Sequence, residues 1–215
     1  MIVDIHTHSF CPSEFQSILN LSFQDAATIL SSSEKGLFSV GIHPWNAHKT
    51  SENEFSDLRK WAADKRVLAI GECGLDNNST ATLPTQLLIF KKQIELSEQF
   101  QKPLIIHCVG SFNELFNLKK EIKPTQVWII HGFRGKAQLA SQALKNNCAL
   151  SFGEHFNEES VRATHIDKLF VETDESTLTI DSIYKKIAII KGINVREIVA
   201  GSKLLEQIAS RPSQI

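Results

Sequence analysis

The chain opens with His6-Thr7-His8 at the end of an apolar run, and comparable side chains recur where later runs stop. His43 follows Gly41-Ile42, His107 follows Ile105-Ile106 and His131 follows Ile129-Ile130. Glu72 and Asp76 fall in Gly71-Glu72-Cys73-Gly74-Leu75-Asp76, and Asp174 ends Val171-Glu172-Thr173-Asp174. Neutral imidazole and carboxylate together suit a divalent cation such as zinc, manganese, magnesium, iron or nickel. The absence of thiolates at these positions speaks against a closed structural zinc site. Side chains alternate along a strand, so His6 and His8 point the same way and can share one ion, with Asp4 on that face just below. Four histidines, a glutamate and an aspartate exceed what a single catalytic zinc uses. They predict two ions about 3.5–4 Å apart with a bridging carboxylate, a pair that lowers the pKa of bound water towards about 7. Glu72, from the middle of the series, is the expected bridge. Asp174 is expected to ligate one ion and to orient or deprotonate the water. The chemistry read from these residues is binuclear hydrolysis.

The elements that must position them are short, mostly unbroken apolar runs: Ile2–Ile5, Phe15–Leu21, Phe38–Ile42, Val67–Ile70, Leu104–Ile106, Val127–Ile130, Ala149–Phe152 and Leu169–Val171. Unbroken runs suit parallel strands buried on both faces. Polar residues interrupt the second, which makes it the weakest strand signal. Between the runs lie helical patterns. Ser51-Glu52-Asn53-Glu54 has capping-box spacing before Phe55, Leu58 and Trp61, and Pro84 opens a segment with Leu87, Phe90 and Ile94 on one face. Further helices are expected near 111–121, 136–146, 157–165, 180–191 and 194–209. Eight such units predict a compact (β/α)₈ barrel forming one domain over residues 1–215, with strand C-termini gathered at one mouth. A doubly wound open sheet is the alternative, but no GxGxxG follows the first strand.

Composition narrows the function classes. With 23 basic and 24 acidic residues the net charge is −1, which disfavours avid sequence-independent duplex binding and a disordered chain. No apolar run reaches membrane-spanning length, and no leader pattern opens the sequence, so a cytoplasmic protein with no membrane association is expected. Cys11, Cys73, Cys108 and Cys148 show no metal-site spacing, and the last three lie in or beside apolar runs as inert core thiols. Lys91-Lys92, Lys119-Lys120 and Lys185-Lys186 read as solvated helix faces.

From Asp4-Ile5-His6-Thr7-His8 through Gly41-Ile42-His43-Pro44, Ile70-Gly71-Glu72-Cys73-Gly74-Leu75-Asp76, Ile106-His107 and Ile130-His131-Gly132-Phe133 to Glu172-Thr173-Asp174, the chain resembles the TatD-related deoxyribonuclease family of the amidohydrolase superfamily. The resemblance implies a TIM barrel and divalent-metal-dependent phosphodiester hydrolysis. It implies a first ion on His6, His8, Glu72 and Asp174, and a second on Glu72, His107 and His131. A glutamate at position 72, where many superfamily members carry a carboxylated lysine, points to the TatD-like branch. His43 is expected to contact a substrate phosphate or its bound water, and Trp45 to offer a stacking face, whereas Trp128 reads as core. The chain departs from the family in four places. Asn77-Asn78 replace a tyrosine-rich continuation, Val109 stands where an arginine is common, Glu175-Ser176-Thr177 lack a proline, and a basic segment that normally follows is absent. Arg134, just before a helix N-terminus and close to Lys136, is expected to hold a substrate phosphate in compensation.

The expected substrate is DNA ends or a short oligonucleotide, with no protein partner. The same metal pair would also serve a carboxylic ester such as an aminoacyl-tRNA linkage, or an amide. A degenerate, non-catalytic metal-binding protein is disfavoured because all six ligands are present.

Overall fold

Strands β1 (Val3–Thr7), β2 (Gln16–Leu21), β3 (Leu37–Val40), β4 (Val67–Asp76), β5 (Leu104–Val109), β6 (Trp128–Ile130), β7 (Ala149–Phe152) and β8 (Leu169–Val171) lie side by side in chain order, all parallel. This computed structural model describes residues 1–9 and 15–210. The sheet curls until its ends meet just beyond β8. Asp174 N donates to His6 O at 3.0 Å and His8 N donates to Asp174 O at 3.2 Å, a single parallel bridge that brings the barrel almost to closure. The expected barrel is therefore present, and the interrupted run at 16–21 is one of its strands.

The surrounding helices are α1 (Phe23–Ile29), α2 (Glu52–Ala62), α3 (Leu83–Phe100), α4 (Phe112–Ile122), α5 (Ala137–Lys145), α6 (Glu158–Ala163), α7 (Ile180–Lys191) and α8 (Ala200–Ala209). They do not alternate strictly with the strands. Among the described residues no helix joins β1 to β2, while both α7 and α8 follow β8. The capping box at Ser51 forms as its spacing predicts, with Glu54 N donating to Ser51 Oγ at 3.2 Å and Ser51 N to Glu54 Oε2 at 2.7 Å. The helix expected over 194–209 is divided: Asn194 caps a short 3₁₀ turn at Val195–Glu197, and α8 begins at Ala200. Helix α1 was not expected. Only Ala26 is fully buried, while Phe23 and Ile29 pack partly buried against the core; its start is set locally by Asp25 N donating to Ser22 Oγ.

Strand β4 runs ten residues, well past the expected Ile70, and is buried throughout. Glycines allow this extension. A Cβ on Gly41 would lie 2.7 Å from Glu72 O, and one on Gly74 (φ +137°) would lie 2.1 Å from His107 O, so neither neighbouring backbone leaves room for a side chain. The apolar positions divide into two layers. One fills the space between strands and helices. The other sits beneath the mouth: Ile18, Ile105, Ile129 and Phe170 pack with Ala200, Leu204 and Leu205 of α8. Each of those four strand residues lies two positions before a polar residue of the mouth (Asn20, His107, His131 and Glu172), so one face of each strand supplies both floor and site.

Lys119 corrects the reading of the lysine pairs. It is 7% exposed, and its ammonium lies 4.5 Å from the ring centroid of the buried Trp128, a cation–π contact. Lys91, Lys92 and Lys185 do lie on helix surfaces, where they pair with Glu121, Glu52 and Asp181. Cys73 and Cys148 are buried and Cys108 half-buried; Cys11 lies outside the described residues. Among the described residues no helix is long and apolar enough to cross a membrane.

Candidate metal centre

Five strands bring the predicted side chains to one point at the mouth. β1 contributes His6, with His8 just beyond; β4 contributes Glu72; β5 contributes His107. His131 follows β6, and Asp174 lies three residues past β8. Glu72 is mid-strand rather than at a strand end, and its backbone N–H is held by Asn20 Oδ1 at 3.0 Å.

The two carboxylate oxygens of Glu72 face different partners. Oε2 lies 3.8 Å from His6 Nε2 and 3.5 Å from His8 Nε2. Those two nitrogens lie 3.8 and 3.6 Å from Asp174 Oδ1. These separations are long for hydrogen bonds, but they approach roughly 3.4 Å, the edge of a tetrahedron built from 2.1 Å metal–ligand bonds. Oε1 instead lies 2.8 Å from His107 Nδ1, 2.8 Å from His131 Nε2 and 3.4 Å from His43 Nε2. Four groups of three side chains have donor atoms close enough to share an ion: His6-Glu72-His131, His6-His8-Asp174, His43-Glu72-His107 and His131-Glu172-Asp174.

A cation fits this donor set. His6 is fully buried, and neither ring nitrogen has a hydrogen-bond partner among the described residues. An unpaired buried polar atom is costly, so lone pairs that converge without a donor mark a place for a positive charge. Burial, reinforced by His131 nearby, pushes His6 down to about 3, which keeps the ring neutral and able to ligate. Burial alone would raise Glu72, but His131, His107 and His43 outweigh it and hold the carboxyl well below its usual range. For His131 burial is likewise outweighed, here by the charges on Glu72 and Glu172, and its pKa rises well above the ordinary value. Burial holds the Asp174 carboxyl above its usual range despite the opposing His131. Protons and metal ions compete for these same lone pairs.

Asp174 also has an unusual backbone, with φ of 55° in the left-handed region. Asp tolerates that region better than most residues, and the paired hydrogen bonds to β1 hold it there. Asp4 secures the same turn. Its carboxylate accepts from Thr173 N at 3.0 Å and Thr173 Oγ1 at 2.6 Å, and burial raises its pKa to about 7. Asp4 therefore braces the Glu172–Asp174 segment and stands outside the converging donor groups.

Of the expected substrate contacts, His43 and Trp45 line a cavity of about 630 Å³ together with Asn20, Phe23, Lys49 and Glu72. Trp45 is 56% exposed, and its ring stands edge-on to His43 with centroids 5.1 Å apart. Arg134 lies elsewhere on the rim, exposed, and lines two smaller cavities that also reach Asp174. The 43–45 turn and Arg134 thus flank the converging donors without sharing one cavity.

Three residues of the site were given no role from the sequence. Asn20 hydrogen-bonds both Glu72 N and Ser39 Oγ. Glu172, fully buried, accepts from Gly132 N and lies 3.6 Å from His131 Nδ1. Asp76 bonds His107 Nε2 at 2.8 Å. Strand periodicity carried a signal for each: 20 is two residues past the core Ile18, 172 is two before Asp174, and 76 is four past Glu72.

Comparison with known proteins places the chain. A protein of Buchnera aphidicola subsp. Baizongia pistaciae, named an uncharacterized metal-dependent hydrolase, is 32% identical over 161 residues, 73% of this chain and 60% of that protein. The chain thus spans about three fifths of that relative's length. The 3'-5' ssDNA/RNA exonuclease TatD of Erwinia amylovora is 25% identical over 193 residues, 77% of this chain and 74% of that protein. The crystal structure of YJJV, a TatD homolog from Escherichia coli K12, superposes with a TM-score of 0.79 over 97% of this chain and 96% of that one at 16% identity, a likeness of fold. The profile of the TatD related DNase family matches residues 4–202, nearly the whole chain, and the chain belongs to that family.

Proposed function

We propose that the chain is a phosphodiesterase of the nuclease type that works with two divalent ions. One ion would be held by His6, His8, Glu72 and Asp174, the other by Glu72, His107 and His131. The observation that carries this reading is the division of labour within Glu72, whose Oε2 faces one donor set and Oε1 the other. When bound, such a pair supplies Lewis acidity and makes a water molecule acidic enough to act as nucleophile near neutral pH. The protein's own groups do the rest. Asp174, held by the β1 bridge, orients the attacking water and takes its proton on a carboxylate oxygen. His43 and Arg134, from opposite sides of the donors, hold non-bridging phosphate oxygens. Trp45 offers its exposed ring face to a base. Membership of the family and the exonuclease name of the Erwinia relative support a nucleic-acid phosphodiester as substrate.

The test is hydrolysis after reconstitution with zinc, manganese or magnesium, using bis-p-nitrophenyl phosphate, a single-stranded DNA oligonucleotide, a matching RNA and a carboxylic ester. Metal-dependent cleavage of the phosphodiesters is expected. Turnover of the ester alone would move the assignment to ester hydrolysis.

Arg134→Ala is expected to raise KM for the oligonucleotide about tenfold, the worth of one charge-assisted hydrogen bond, with metal content unchanged. Steady-state kinetics beside elemental analysis would check it. An unchanged KM would remove Arg134 from the substrate contacts.

A further inference from the structure

Asp76 belongs to none of the converging donor groups, yet both its carboxylate oxygens are engaged beside them. It is 1% exposed. Its Oδ2 lies 2.8 Å from His107 Nε2 and accepts the indole N–H of Trp45 at 2.8 Å, while Oδ1 accepts Asn78 N at 2.7 Å. The backbone is clamped as well: Asp76 N donates to Gln86 Oε1 at 2.8 Å, and Gln86 Nε2 donates to Asp76 O at 3.0 Å. Gln86 is itself buried.

The chemistry of these partners decides where the proton of His107 resides. An indole N–H and a backbone N–H can only donate, so both oxygens of Asp76 are fixed as acceptors and the carboxylate cannot turn away from the imidazole. A neutral imidazole has one N–H, and which nitrogen keeps it is set by the hydrogen bond the ring makes. Both ring nitrogens of His107 face a carboxylate oxygen at 2.8 Å, Asp76 Oδ2 at Nε2 and Glu72 Oε1 at Nδ1; with a cation on the Glu72 side, the proton belongs on Nε2, where Asp76 accepts it. Its Nδ1 is then bare, 2.8 Å from Glu72 Oε1. Two acceptors at that distance need a cation between or beside them.

We propose that Asp76 is a positioning residue that locks His107 with Nε2 protonated, so that Nδ1 is presented to the ion shared with Glu72 and His131. The proposal rests on the two-ion reading given above. It adds a role for Trp45: the indole N–H helps fix Asp76, which leaves the ring face as the part free to meet a substrate.

The experiment is a competition titration with Zn²⁺ and a chromophoric chelator on the wild type, Asp76→Ala, Asp76→Asn, Trp45→Phe and, as a stability control, Ile187→Val. Alongside it runs a long-range ¹H–¹⁵N spectrum of the histidine rings in the metal-free and zinc-loaded chains. Asp76→Ala is expected to weaken one of the two zinc ions by about 10–100-fold, the usual cost of losing a partner behind a ligating histidine, and to leave the other unchanged. Asp76→Asn, which keeps one acceptor oxygen, should lose less, and Trp45→Phe, which removes one donor to Asp76, less again. Ile187→Val should lower the melting temperature without moving either affinity. In the zinc-loaded wild type the spectrum should show His107 protonated at Nε2 and bare at Nδ1, and in Asp76→Ala a mixture of states.

Wild-type zinc affinity in Asp76→Ala, or a zinc-loaded wild-type His107 protonated at Nδ1, would overturn the proposal. If Asp76→Ala fails to fold, the graded losses in Asp76→Asn and Trp45→Phe decide the matter. A wild type that binds no zinc would instead sink the metal-centre reading, and the spectrum of the metal-free chain would still report whether Asp76 keeps a proton on His107 Nε2.

Discussion

Glu72→Gln is expected to remove metal retention and hydrolysis together. The carboxylate stands between two donor sets, with Oε2 3.5 Å from His8 Nε2 and Oε1 2.8 Å from both His107 Nδ1 and His131 Nε2. Glutamine has nearly the same shape but turns one of those oxygens into an N–H₂ that can only donate. Whichever way the amide lies, one set loses its anion and faces a donor instead. Two cations held close together then lack the charge that offsets their repulsion. We expect kcat/KM for a phosphodiester to fall by at least about 10³, near 4 kcal/mol of transition-state stabilisation. A thermal readout separates this from misfolding. The wild type should gain about 2.7 kcal/mol of stability when the free ion stands at one hundred times its Kd, and Glu72→Gln should gain almost none while retaining its far-ultraviolet spectrum without metal. A variant with full metal content and near-normal turnover would show that Glu72 is not the bridge.

Asp174→Asn should separate chemistry from metal binding. Asp174 sits at φ 55°, and Asn is among the few residues that enter the left-handed region readily, so the β1 bridge should survive the change. His6, His8 and Glu72 remain to hold the first ion, and the second donor set is untouched. What disappears is a carboxylate able to take a proton from water. Loss of a positioned general base typically costs 10²–10⁴-fold, so kcat should fall by about that factor, with KM little changed and the second ion fully retained. Asp174→Ala is the harsher control, because alanine fits the left-handed backbone less well. Unchanged kcat in Asp174→Asn would remove Asp174 from proton transfer and leave it a supporting ligand.

How far the sequence reaches depends on how local each feature is. The parallel strands were legible because burial on both faces leaves unbroken apolar runs. The six converging residues were legible because parallel strands must deliver their C-terminal ends to one mouth. Helix α1 was not, since at seven residues it spans barely two turns and only Ala26 is fully buried. The length of β4 was hidden too: Gly71 and Gly74 look like a loop in sequence, whereas in the fold they let two backbones approach too closely for any side chain. Lys119 read as a surface cation because the indole of Trp128 that covers it comes from a separate strand. Asp4, Asp76 and Glu172 were visible as acids, but their work is to hold Thr173, His107 and Gly132, partners 169, 31 and 40 residues away in sequence. Residues that bear chemistry announce themselves by type and spacing. Those that orient them are defined by contacts that spacing along one strand cannot supply.

The central claim is that two ions flank Glu72, and anomalous scattering from crystals grown with Mn²⁺ or Zn²⁺ tests it most directly. The account predicts two peaks about 3.5–4 Å apart, one among His6, His8 and Asp174 and one between His107 and His131, with Glu72 reaching both. No peak in the mouth, or a single ion that Glu72 does not touch, would contradict it.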